Sequence, residues 1–76
     1  MSMDRFFMQR ASAVSYLMDR RRRWLQKIEA TPSGDVEFER QEVELLSQLI
    51  LDVRAARVNT FQFTRPQAVE IYISDD

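Results

Sequence analysis

Residues 30–35, Ala30-Thr31-Pro32-Ser33-Gly34-Asp35, interrupt two long stretches of helical periodicity, and their reading decides the fold. Pro32 disfavours helical geometry at Thr31 and cannot continue a helical hydrogen-bond ladder. Gly34 is the only glycine in the chain and sits where the backbone must reverse. Asp35 is placed to cap a second helix, with Glu37 and Glu39 in the opening turns where the helix dipole favours negative charge.

Upstream, the spacing predicts a first helix over about 3–30, with Ser2 as N-cap and Asp4 in its first turn. Phe7, Ala11, Val14, Met18, Leu25 and Ile28 recur at steps of three and four, interrupted at Arg21. Phe6, Ala13, Leu17 and Trp24 form a second stripe beside them, so the apolar sector is wide enough to meet more than one neighbour. Phe6, Phe7 and Met8 would cover the far end of a hairpin core or form a dimer face.

Downstream, the second helix is expected over about 36–58. Leu46, Leu49, Val53 and Ala56 form its stripe, and Val43, Leu45 and Ile50 widen it. Arg54 and Arg57 suit its carbonyl end, and Asn59 is the expected left-handed residue after it. Two helices with so short a link make an antiparallel αα-hairpin.

The period then changes. Phe61-Gln62-Phe63 and Val69-Glu70-Ile71-Tyr72-Ile73 alternate, and β-branched residues dominate the second run. Pro66 between them suits a turn. A third helix starting at Pro66 is the rival reading, and the Ile-Tyr-Ile run argues against it. The expected fold is therefore α+β, mainly α. A long hairpin is followed by a short β-strand or β-hairpin over about 61–74, in one small domain spanning 1–76.

With 76 residues, 45% of them hydrophobic and 30% charged, the composition is globular. A domain of this size buries only roughly 60% of its surface and often needs a staple. The chain has no cysteine and no histidine, which excludes disulfides and metal sites built on thiolate or imidazole. The remaining staple is another copy of the chain or a different protein, so oligomerisation, as a dimer, is expected. No apolar run resembles a secretory signal or a spanning helix, and a cytoplasmic protein is the corresponding expectation.

Charge is segregated along the chain. Residues 1–30 carry seven basic and three acidic side chains, and residues 31–52 carry one basic and six acidic. In a hairpin, Arg20, Arg21, Arg22, Arg23 and Lys27 would lie near Asp35, Glu37, Glu39, Glu42 and Glu44, a charge match across the helices. The arginine run also suggests phosphate binding, with Trp24 stacking on a base. Four consecutive helical residues, however, fan around about 300° and cannot all face one groove. A sequence pI of 5.4 weakens that reading further.

Chemistry finds little footing. The commonest general base and the strongest nucleophile are missing, and Ser12, Ser15, Ser33, Ser47 and Ser74 have no partner base evident from spacing. Glu39, Glu42 and Asp52 could pair as acid and base or bind an oxygen-ligated cation, but they read more simply as a solvated helix face. No catalytic residue, metal ligand or cofactor is assigned. One glycine excludes phosphate-binding glycine loops. The acidic second helix argues against an interfacial membrane role.

Recognition remains. The expected function is a non-enzymatic protein-interaction module, such as a small inhibitor or adaptor. Its expected contacts are Arg20, Arg23, Trp24, Ile71, Tyr72 and Ile73. The alternatives are a nucleic-acid-binding accessory protein using the basic half of helix 1, and a structural subunit of a larger assembly such as a phage particle.

Overall fold

The computed structural model describes residues 3–31, 34–64 and 68–74. Its five elements, in chain order, are β1 (Asp4–Met8), α1 (Arg10–Glu29), α2 (Glu37–Arg54), β2 (Thr60–Phe63) and β3 (Val69–Ile73). The helical hairpin and the C-terminal strand pair are as expected. Ser2, Pro32 and Pro66 lie outside the described residues.

The first helix is shorter than its periodicity predicts. It begins at Arg10, and Asp4–Met8 forms a strand instead. The reason is a long-range pairing that periodicity cannot register: β1 lies parallel to β3, with Asp4 opposite Val69 and Met8 opposite Ile73. Gln9 is extended, and its carbonyl accepts the Ala13 N–H at 2.9 Å, which opens the helix without a side-chain cap. β2 pairs antiparallel with β3, placing Phe61 opposite Ile71, so the strand order is β1-β3-β2. β3 is the central strand.

Alternation along the strands sorts the sheet into two faces. Phe61, Phe63, Val69, Ile71, Ile73, Phe6 and Met8 share the helix side. Arg5, Phe7, Glu70 and Tyr72 share the outer side, where Phe7 stacks on Tyr72 with centroids 5.1 Å apart. The core unites Ala13 and Leu17 of α1, Leu46, Ile50 and Val53 of α2, and Phe61, Val69 and Ile71 of the sheet. All of its helical members lie in the half of the hairpin nearest the sheet. Residues 20–29 and 37–45 extend past it and contribute no buried side chain.

The helix ends obey local rules with changes of residue. The N-cap of α2 is Val36 rather than Asp35, without a side-chain cap bond. Asp35 Oδ1 accepts the Glu37 N–H at 3.0 Å from one residue earlier, and Glu37 and Glu39 occupy the first turn, as expected. α2 stops at Arg54, earlier than expected, and Ala56 rather than Asn59 takes the left-handed conformation, at φ 62°. The Ala56 N–H donates to Val53 O at 3.1 Å and the Arg57 N–H to Asp52 O at 2.9 Å, the paired bonds of a Schellman motif. Asn59 serves the tertiary structure: its carbonyl accepts the Ile73 N–H at 2.9 Å. Gly34 has no positive φ; a Cβ there would lie 2.5 Å from Thr31 Cγ2, so the position requires room rather than unusual dihedrals.

Arg10 ties α1 to the end of α2 and to the loop before β2. Its Nη1 donates to Val53 O at 2.8 Å and to Val58 O at 3.4 Å, and its Nη2 to Asn59 Oδ1 at 2.9 Å. A cation at the carbonyl end of α2 also suits that helix's dipole.

The result is a thin plate. Its extents are 43 × 32 × 15 Å and its radius of gyration is 13.4 Å, against about 11 Å for a compact chain of this length. Accessible surface totals 5605 Å², above the roughly 4,900 Å² typical of a folded monomer of this mass.

Candidate functional site

A groove of about 530 Å³ opens where the hairpin extends past the sheet. Three elements build it. On α1, Arg20 and Trp24 succeed Leu17 at steps of three and four, continuing the core stripe beyond the point where the sheet ends. On α2, Phe38, Glu42, Leu45 and Leu49 repeat at the same helical spacing, with Leu46 at the floor. From the sheet, Phe63, with Gln62 and Thr64, closes the side along the β2 edge.

Aromatic contacts fix this shape. Trp24 meets Phe38 edge to face, with centroids 5.7 Å apart and planes at 75°. The Arg20 guanidinium carbon sits 3.8 Å above the Phe63 ring, a distance at which the cation is attracted to the ring face. Phe63 in turn packs against Phe61 and Tyr16. Lys27 Nζ lies 5.0 Å from the Trp24 ring. Leu45 is 65% exposed and Phe38 49%, so apolar surface lies open at the mouth while Leu46 is buried beneath it.

The arginine run fans as helical geometry requires. Arg20 faces the groove. Arg21 donates to Ser47 Oγ at 3.2 Å, and both Arg22 and Arg23 pair with Asp19. The expected charge match across the helices is therefore replaced, for Arg22 and Arg23, by pairing within α1. The i,i+3 and i,i+4 spacing from Asp19 provides a nearer carboxylate than any on α2. Arg21 and Arg22 instead line a shallower hollow of about 360 Å³, with Ser15, Met18, Asp19 and Leu25.

The expected contact residues separate accordingly. Arg20 and Trp24 come together in the groove, and Arg23 lies outside its lining. Ile71, Tyr72 and Ile73 were expected to form an edge, and that expectation fails. β3 is flanked on both sides, Ile71 is fully buried, and Ile73 packs against the core. Tyr72 lies on the outer face, where its phenol is held above its ordinary pKa by hydrogen bonding to Glu70, by burial and by the Glu70 charge. Phe38 and Phe63 are groove residues that sequence reasoning does not single out. The alternation of Phe61 and Phe63 is the available signal for the second. No group of three or more acidic, histidine or cysteine side chains able to hold a metal occurs among the described residues. No helix among them is long and apolar enough to cross a membrane.

A family model described as "Uncharacterized protein BTH_I2711-like" matches residues 4–73. The chain belongs to this family. The BTH_I2711-like match runs from the first residue of β1 to the last of β3, and so takes in every element that builds the groove. No curated protein and no solved structure matches the chain significantly.

Proposed function

We propose that this BTH_I2711-like protein is a non-enzymatic protein-interaction module, an inhibitor or adaptor that acts in the cytoplasm as a homodimer. Its groove holds an apolar segment of a larger protein. The observation that carries the reading is the groove itself: Trp24, Phe38, Leu45, Leu49 and Phe63 converge on one open-sided hollow. Phe38 and Leu45 are exposed while Trp24, Leu49 and Phe63 are half-buried beside them, and apolar surface grouped in this way marks interaction sites rather than ordinary surface. Among the described residues its polar lining groups are few, Arg20, Glu42, Gln62 and Thr64, set among apolar side chains, which suits recognition of an apolar segment.

Charge specifies the partner segment. Residues 31–52, which supply the α2 wall, carry one basic and six acidic side chains. An amphipathic segment with apolar anchors and flanking Lys or Arg therefore fits best. Arg22 and Arg23 are already paired with Asp19, which weakens the nucleic-acid alternative. The dimeric state is supported by the plate-like shape, whose surface exceeds that of a compact monomer by roughly 700 Å².

Selection from a displayed random-peptide library tests the groove. Enriched peptides should share apolar anchors beside basic residues, and should shift the fluorescence of Trp24, the only tryptophan. Leu45→Asp should abolish binding while leaving the thermal melt unchanged. Peptides that bind the variant as well as the parent protein would refute the assignment.

A further inference from the structure

β1 is an edge strand whose outward side has no partner strand among the described residues, and the hydrogen bonds at its two ends identify which groups face outward. The Asp4 N–H donates to Ala68 O at 3.2 Å, and Met8 O accepts from the Ser74 N–H at 2.9 Å. Backbone groups alternate sides along a strand, so those of Asp4, Phe6 and Met8 face β3. The N–H and C=O of Arg5 and Phe7 then point away from the sheet. Beside them stand two apolar side chains, Phe7 at 72% exposure and Phe6 at 48%, on opposite faces of the strand. Strands with exposed apolar edges pair with another chain unless something guards them. The last three residues of β1, Phe6-Phe7-Met8, carry no charge and no proline.

We infer that β1 pairs antiparallel with β1 of a second copy, about a two-fold axis at Phe6, joining two three-stranded sheets into one of six strands. This rests on the proposed dimeric state and assigns its surface.

The free groups set the register. With Phe6 on the axis, Arg5 lies opposite Phe7 of the second copy, and Phe7 opposite Arg5. All four outward groups of each chain are then used, in four hydrogen bonds. Any register that places Arg5 against Arg5 juxtaposes like charges, which is unfavourable across a strand pair. The two-fold register instead sets each guanidinium beside the other copy's Phe7 ring. Arg5 is already held on that face by Glu70, at 3.2 Å, and Phe7 by its stack on Tyr72. On the helix side, the two Phe6 rings meet at the axis. β2, the other edge, borders the groove, so pairing through β1 leaves one groove free at each end of the long sheet.

Cysteine cross-linking tests both the edge and its register, because the chain has no cysteine of its own. Phe6 would form a non-hydrogen-bonded pair with its mate, with Cα atoms about 4.5 Å apart, inside the disulfide range. Two Arg5 Cα atoms would stand roughly 8–9 Å apart, outside it. Phe6→Cys should give a covalent dimer under mild oxidation, and Arg5→Cys should give far less. Phe7→Pro removes an outward N–H and leaves the bonds to β3 intact, and it should weaken the dimer by roughly 10–100-fold in sedimentation equilibrium. Circular dichroism verifies that the variant remains folded. A parent protein that stays monomeric at all concentrations would overturn both the dimer and its edge. A parent dimer with no Phe6→Cys cross-link would overturn the edge alone.

Discussion

Arg10→Gln should destabilise the fold by about 2 kcal/mol. The guanidinium makes a charge-assisted bond of 2.8 Å to Val53 O in a half-buried setting, and bonds of this kind contribute about 1.5–3 kcal/mol. Two features keep the figure near the middle of that range. Val53 O retains the Ala56 N–H at 3.1 Å, so it is not orphaned, and the Asn59 bond is exposed and adds little. For a domain of this size, about 2 kcal/mol corresponds to a fall in Tm of roughly 8–16 °C. Urea unfolding monitored by circular dichroism, at one fixed protein concentration, measures the change. Arg10→Lys should recover less than half of the loss, because an ammonium cannot fork to Val53 O and Asn59 Oδ1 together. The exposed Arg40→Gln provides the baseline, expected within about 0.5 kcal/mol of the parent. If Arg10→Gln falls within that baseline, the helices are held by their apolar contacts alone and the clamp is not a stabilising element.

Three further outcomes are expected at particular residues. Ala56→Gly should raise stability by about 0.5–1 kcal/mol in the same assay, since relief of a left-handed L-residue, ~1–2 kcal/mol, outweighs the added unfolded-state entropy. Gly34→Ala should cost about 1 kcal/mol by turning Thr31 out of its rotamer and away from Lys27 O, and Thr31→Ser, which removes Cγ2, should restore most of it. Glu70→Gln should lower the Tyr72 pKa toward its ordinary value, read from phenolate absorbance in a Tyr16→Phe background. Because the folded-state pKa of Tyr72 is raised, its contribution to stability is complete below the unfolded value and declines as pH rises through the folded one. Glu70→Gln should flatten that alkaline decline.

The hairpin and the C-terminal strands were legible because their signals are local. Proline and glycine at 32 and 34 mark the break, and alternation with β-branched residues marks 69–73. β1 was not legible. Asp-Arg-Phe-Phe-Met continues a helical period when read alone, and only its partner 65 positions away makes it a strand. The same hidden strand turned β3 from an expected edge into the centre of the sheet, burying Ile71. Arg10 was equally silent, since its three acceptors come from the end of α2 and the loop after it. Trp24 was legible because helical spacing carries the stripe of Leu17 past its own cover, and Arg20 because it opens the arginine run. Phe63 completes their site, and nothing within the helices announces it.

The groove between the outer hairpin and β2 is the proposed binding surface. The most direct measurement is an amide and methyl NMR titration of the protein with a selected basic, apolar peptide. Shifts should concentrate at Arg20, Trp24, Phe38, Leu45, Leu49 and Phe63 and be abolished by Leu45→Asp. Shifts centred on β1 or on the Arg21–Arg22 face, with the groove unperturbed, would contradict it.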